Sequence, residues 1–356
     1  MDKKIILLLT GIVLSVLNSQ TLLNRLRVPV TIQSSIAFGY DSNFLRLSEK
    51  EMNESNPAEL GISSTFDSPV VKPGVKFLYS PFLWEGHTTK LTASVNYSAY
   101  TQSLQKNYNI SQLSLAIKLK PYSWIKTGYR MIPQYYLRKY RDRDVSLTDY
   151  KECNFSSDKL FVSFSHPLPF LSKGWFQTTL EQTTEFYNSL FTEFDLIKLT
   201  MSGDVNFRIW KKKKIKISLS HTSADNISYK TSLPSTNVDR SYVADKLKIS
   251  FSGKVKKIAL LQSIGISQSI EQRYYDLVST HYSLDNWKNY IDGRTNIWMD
   301  WKQYFNLNIR TRCQYRWRDA DSNIAGDFEW IEDIKSYQKI EFWVEFDYDF
   351  TWEGLY

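Results

Sequence analysis

Residues 220–226 read SHTSADN, and a histidine two residues before a serine is a pairing that nucleophilic chemistry uses. A serine hydroxyl needs a base to take its proton and an acid to orient that base. His221 and Ser223 supply the first two. Asp245 supplies the third if its segment lies antiparallel beside theirs. A second constellation lies near the C-terminus. Residues 306–318 read NLNIRTRCQYRWR, with Arg310, Arg312, Arg316 and Arg318 spaced by even steps. Residues 341–353 read EFWVEFDYDFTWE, with Glu345, Asp347 and Asp349 spaced by two. Charges of opposite sign at that spacing on adjoining strands form ladders that pair across a sheet or line a wet wall.

Both constellations therefore presuppose strands. Alternation with period 2 sends successive side chains to opposite faces. His221 and Ser223 share parity with Ile215, Ile217 and Leu219, and Asp245 shares it with Val243 and Leu247. The arginines have the opposite parity to Ile309, Tyr315 and Trp317. The candidate nucleophile thus belongs to the apolar face of the sheet, and the charge ladders belong to the polar one.

The rest of the chain has the same rhythm. Fourteen alternating segments recur between Val28 and the C-terminus, among them Val28 to Tyr40, Leu91 to Ala99, Ile197 to Ile209 and Phe342 to Trp352. Short connections, around residues 120–123, 166–173 and 211–214, alternate with long ones, around 41–69, 139–153, 225–240, 272–288 and 319–335. The linkers after the third and seventh segments are shorter than that rule expects. Short turns are basic, as in KKKK at 211–214, and long loops are richer in acid. No helical pattern offers a second layer to cover the apolar face, and a soluble sheet needs one. The expected fold is all-β, a transmembrane antiparallel up-and-down β-barrel of about 14 strands, with apolar residues toward lipid and polar ones toward the lumen.

The only long apolar run is residues 5–17, after Lys3 and Lys4. Residues 1–19 read as a signal peptide, residues 20–27 as a short N-terminal segment and 28–356 as the barrel. The formal net charge of +8 could suit a nucleic acid, but an export signal and scattered basic residues argue against that partner. Cys153, read as a loop residue, and Cys313 are expected to be free thiols. His87, His166 and His281 sit in or beside turns without metal-ligand spacing, so neither metal nor cofactor is expected. The D-S-N segments at 41–43 and 321–323 read as turns, with a cation site as the alternative.

Everything after the signal resembles bacterial outer-membrane β-barrel proteins as a class. The closing strand carries the resemblance most clearly. Phe346, Phe350, Trp352 and Tyr356 are similar to the terminal signal that the barrel assembly machinery reads in that class. The resemblance implies that machinery and outer-membrane lipid as partners, and the bacterial outer membrane as the location. SHTSADN resembles the His-any-Ser motif of outer-membrane phospholipase A and of the lipid A deacylase, which act on lipid at the outer leaflet. It departs from them in having Ala224, not Asn, after Ser223, and Asn226 has lumen parity.

Fourteen strands tilted by about 40° give a backbone radius of roughly 14 Å, between filled small barrels and open porins. Lys126, Arg130, Lys246 and Lys248 join the arginine ladder on the inward face, against fewer acids. The leading reading is a porin-like passive channel for small, preferably anionic solutes. The 29-residue segment 41–69 is the best candidate for a loop folded into the lumen. One alternative is a non-conducting scaffold or surface-interaction barrel, its lumen sealed by charge pairs. The second is an outer-leaflet lipid hydrolase using His221 and Ser223.

Overall fold

The computed structural model describes residues 25–54, 60–83, 87–141, 150–169, 173–210, 212–228, 240–255, 260–275, 289–302, 305–321 and 336–353. The signal segment and Tyr356 lie outside these residues. Fourteen antiparallel strands close on themselves, each bonded to its neighbours in sequence, with β1 pairing β14. They are β1(Val30–Asp41), β2(Ser68–Tyr79), β3(Thr89–Tyr100), β4(Tyr108–Lys120), β5(Ser123–Arg141), β6(Tyr150–Pro167), β7(Trp175–Tyr187), β8(Leu196–Trp210), β9(Lys213–Asn226), β10(Tyr242–Lys254), β11(Leu261–Tyr275), β12(Asn289–Trp301), β13(Leu307–Asp321) and β14(Tyr337–Trp352). One short helix, α1(Glu49–Glu54), lies in the first loop. Single 3-10 turns at Leu104–Lys106 and Thr192–Phe194 explain why the linkers after β3 and β7 are short for that end.

Closure removes every sheet edge, so the backbone is satisfied without water. The even residues of β1 and β14 stand outward together, where Phe38 meets Phe346 edge-on at 6.4 Å. Met201 and Leu219 on neighbouring strands are 64% and 60% exposed, at mid-strand positions that only an apolar medium would favour. The outward stripe continues through Ile249, Ile266 and Phe350. This is the architecture of a membrane-spanning β-barrel. Phe350 and Trp352 face outward on the closing strand, as expected.

The two faces predict unequal tolerance. Ile249→Arg should cost about 2–4 kcal/mol at the bilayer midplane, while Lys248→Ala beside it should cost far less. Urea titration of barrels folded in lipid vesicles would show the difference.

Two expectations fail on the longest strands. The alternation of Ile125, Thr127, Tyr129 and Met131 continues in sequence to Tyr135 and Leu137, which predicts both on the outward stripe of β5. The pairing of β5 with β6 slips between Ile132 and Tyr135, and again between Tyr136 and Arg138. Pro133, which has no N–H to give the ladder, sits in the first slip. Each extra residue exchanges inside for outside, so Tyr135 and Leu137 reach the lumen. Cys153 is not in a loop: β5 and β6 run past the expected boundary, and Cys153 is buried on β6 outside any disulfide. At the other end, Phe305 and Asn306 form a turn with positive φ rather than opening β13.

Candidate functional site

The described part of the first long loop, loop 1 between β1 and β2, packs inside the barrel. Phe44, Leu45 and Leu47 are each about 1% exposed and cluster with Val70, Tyr100, Tyr136 and Trp343 of the wall. Burial of those three side chains holds the loop down. Trp343 lies over Gly39, where any Cβ would strike its ring, and Lys72 Nζ stands 3.6 Å from the ring centre. Polar contacts set the loop's path. Asn43 Nδ2 donates to the carbonyls of Leu47, at 2.7 Å, and Gln338, at 3.0 Å, while its Oδ1 accepts from the Leu47 amide. Asp41 accepts from the Asn43 amide and from Lys339 Nζ at 2.8 Å. The D-S-N segment at 41–43 is therefore a turn, with a lysine against its carboxylate. Its counterpart at 321–323 lies largely outside the described residues.

Ser48 and Glu51 close a capping box on α1. The Glu51 amide donates to Ser48 Oγ, and the Ser48 amide donates to Glu51 Oε2. The same Glu51 carboxylate receives Arg138 of β5 through both guanidinium nitrogens. Arg46, between these anchors, has a φ of 56°, the left-handed region that non-glycine residues rarely occupy.

Loop and wall enclose a cavity of about 800 Å³ at the long-loop end. Thirteen Arg and Lys side chains line it, against two carboxylates, Glu185 and Glu341. Nine tyrosines share the lining. Several cations stack on these rings: Arg273 over Tyr242 at 4.1 Å and Arg318 over Tyr290 at 4.2 Å. Arg46, Arg130 and Arg294 line the cavity with no carboxylate in ion-pair range among the described residues. Arg130 on β5 and Arg294 on β12 stand seven strands apart, on opposite walls.

Of the side chains expected to line the lumen, Arg130, Arg312, Arg316 and Arg318 border this cavity. The others lie on inward parity outside it. Lys126 reaches the Phe161 ring, Lys246 pairs with Glu271 at 3.1 Å, and Arg310 pairs with Asp300 at 2.6 Å. Lys248 follows Lys246 on the same face of β10, while Asp347 and Asp349 continue down β14 toward the short turns. The two C-terminal ladders pair less with each other than expected. Among the described residues only Arg312 of the arginine ladder forms an ion pair with β14, meeting Glu345 at 2.8 Å. Arg316 and Arg318 turn to Asp292 of β12. The register explains this, because Trp343 faces Arg312 and Lys339 faces Arg316 across β14.

The tyrosine lining and the capping box were overlooked in the sequence. Tyr100, Tyr242, Tyr290 and Tyr337 all have the parity opposite to the apolar stripe of their strands, and S-E-K-E at 48–51 spells the box.

Lys106 is buried in the 3-10 turn after β3, donating to the carbonyls of Tyr136 at 2.7 Å and Leu137 at 2.9 Å. Burial pushes its ammonium down to about 8, Arg46 and Lys339 push the same way, and Tyr135 and Asp41 oppose them. Lys106 is therefore charged at pH 7 and loses its proton as pH rises through about 8. Any anion preference of the lumen should weaken between pH 7 and 9, and Lys106→Met should abolish that step. Reversal potentials recorded across this pH range would check it.

On the outer surface, Asp245 lies directly opposite His221, and its Oδ1 is 2.8 Å from His221 Nδ1. Ser223 is two residues along the same strand and forms no hydrogen bond with His221. Other polar pairs stand on the same outward face, Tyr129 with Asp158, Thr295 with Gln268 and Tyr315 with Gln338. The His221–Asp245 pair thus belongs to a set of cross-strand polar contacts on the lipid-facing wall.

No protein-family model matches the chain, and no curated protein matches it. Solved structures with similar folds include the outer membrane channel DcaP of Acinetobacter baumannii, with a TM-score of 0.46 and 10% identity over 90% of this chain and 97% of that one. OccK2 of Pseudomonas aeruginosa gives a TM-score of 0.42 and 10% identity over 92% and 98%. An anion-selective porin from Comamonas acidovorans gives 0.44 and 5% over 90% and 98%. The fold assignment itself stands on the closed topology and the apolar outer face.

Proposed function

We propose that this chain is a porin-like passive channel of the bacterial outer membrane that favours small anionic solutes. The observation that carries the reading is the excess of cations over carboxylates around the cavity of about 800 Å³. A low-dielectric wall focuses that charge on the path through the barrel and raises the local concentration of anions. Loop 1 narrows the route and adds Arg46 to the charged lining. In this reading residues 1–19 direct export, residues 20–27 form a short lead-in and residues 28–356 form the barrel. Phe346, Phe350 and Trp352 of the closing strand, with Tyr356, engage the assembly machinery. Release of organic ions from liposomes tests the function: anions should leave faster than cations of equal size. Equal release, or retention of both, would count against it.

The His221–Asp245 contact favours a second reading, an outer-leaflet lipid hydrolase with Ser223 as nucleophile. That reading expects phospholipid or lipid A hydrolysis that Ser223→Ala abolishes. The channel reading expects solute passage unchanged by the same substitution.

A further inference from the structure

Three successive strands place cations side by side on the wall of the cavity. Arg294 of β12 lies directly opposite Arg316 of β13, and Arg316 lies directly opposite Lys339 of β14. All three border the cavity. Partners across a sheet have Cβ atoms about 4.5–5.5 Å apart, and like charges so placed are destabilising. Lys339 is compensated by Asp41 at 2.8 Å and Glu341 at 2.5 Å. The two arginines are not. Arg294 meets no carboxylate among the described residues, and Arg316 approaches Asp292 only to 3.7 Å, beyond hydrogen-bond range. Asp292 instead accepts two hydrogen bonds from Arg318, its direct partner across the strands. Arg294, Arg316 and Arg318 thus set three cations against one carboxylate, and Arg46 borders the same cavity from loop 1.

One hydroxyl beside these arginines is also unsatisfied. Tyr337 lies directly opposite Arg318 on β14, lines the cavity and is 4% exposed. Its Oη has no hydrogen-bond partner among the described residues. The guanidinium carbons of Arg318 and Arg316 stand 5.4 Å and 5.7 Å from the centre of its ring. A buried phenol hydroxyl normally finds a partner. A water would satisfy the hydroxyl and leave the charge, whereas an oxyanion accepts from hydroxyl and guanidinium alike. We propose that Arg294, Arg316 and Tyr337 form a subsite for a doubly charged tetrahedral oxyanion, with Arg318 held beside it by Asp292. The valence follows from the charge count: a dianion meets the wall's surplus of two, and a monoanion leaves half of it. Sulfate, inorganic phosphate and the phosphoryl end of a larger solute share this chemistry. The inference rests on the channel reading for the solute's route, while the binding itself rests on this wall.

The test is calorimetric titration of the detergent-folded full chain with sulfate, methyl sulfate and glycerol phosphate at low salt. Sulfate and methyl sulfate share a tetrahedral centre and differ by one charge. Sulfate should bind about tenfold more tightly than methyl sulfate. Arg294→Gln breaks no ion pair among the described residues and should remove most of that margin. Tyr337→Phe changes no charge, and should weaken sulfate about tenfold while leaving the thermal stability of the barrel unaltered. A tyrosine that only packs would give no such loss of affinity. Either variant serves alone if the other lacks the heat-shifted gel migration of a folded barrel. Glycerol phosphate binding as tightly as sulfate supports a site for the phosphoryl ends of larger solutes, and its exclusion supports a site for the free inorganic anions. The proposal is overturned if methyl sulfate matches sulfate, if none of the three binds, or if the affinity for sulfate survives either substitution in a folded barrel. A barrel that binds sulfate yet passes no ions keeps the site and loses the channel. One that conducts anions without distinguishing sulfate from methyl sulfate keeps the channel and loses the site.

Discussion

Glu51→Ala should raise the single-channel conductance severalfold. Glu51 is the point where two restraints on loop 1 meet, the capping box with Ser48 and the two-nitrogen contact with Arg138. Both partners of the ion pair are buried, with side chains 7% and 5% exposed. Removing one partner of a buried pair typically costs about 3–5 kcal/mol, because the other charge is left without compensation. The barrel holds its shape through fourteen hydrogen-bonded seams, so that cost falls on the loop rather than on the wall. Arg138 would reach for water, the Ser48 amide would lose its acceptor while Ser48 Oγ keeps the residue-51 amide, and the loop would leave the lumen part of the time. The measurement is the current amplitude and its fluctuation in a planar bilayer. Larger and noisier steps are expected, and a conductance equal to that of the unaltered chain would show that loop 1 does not limit the path. Replacing residues 43–66 by a short Gly-Ser turn should give the larger conductance without the noise.

The second large effect is on charge selection. Arg130→Glu combined with Arg294→Glu places acids on opposite walls of the cavity and changes the local charge by four. Neither arginine has a carboxylate in ion-pair range among the described residues, so no native pair is broken. Arg318 would be a poorer choice, because its substitution would break a native ion pair, that of the nearer of the two arginines on Asp292, at 2.8 Å. The double variant should lose the anion preference and move the reversal potential under a salt gradient toward the cation side. An unchanged potential would mean that ions pass without meeting these walls.

The barrel was legible in the sequence because period-2 alternation has one structural meaning, and fourteen such segments without covering helices leave few arrangements. With an even number of strands, the start of β1 and the end of β14 then lie at one end of the barrel. Length alone made the 29-residue segment 41–69 the best candidate for an inward loop; its anchoring through Phe44, Leu45 and Leu47 shows only in the fold. Parity fails where the chain breaks period. Tyr135 was assigned to lipid because a bulge at Pro133 leaves no mark in an alternation count. The partners of the arginine ladder were misjudged for a related reason: parity says which face a residue shares, but register says which residue it meets. Asp292 on β12 becomes the counter-ion of Arg316 and Arg318 only once β12 and β13 are aligned. For His221 and Asp245, antiparallel pairing of β9 and β10 brought the two opposite one another as expected. Ser223 was not brought into a hydrogen bond with His221.

The most direct test of the account is the reversal potential of the single channel in a planar bilayer across a tenfold gradient of potassium chloride at pH 7. Discrete steps whose reversal potential lies on the chloride side are the predicted result. A folded barrel that passes no current, or one whose reversal potential lies on the potassium side, would contradict it.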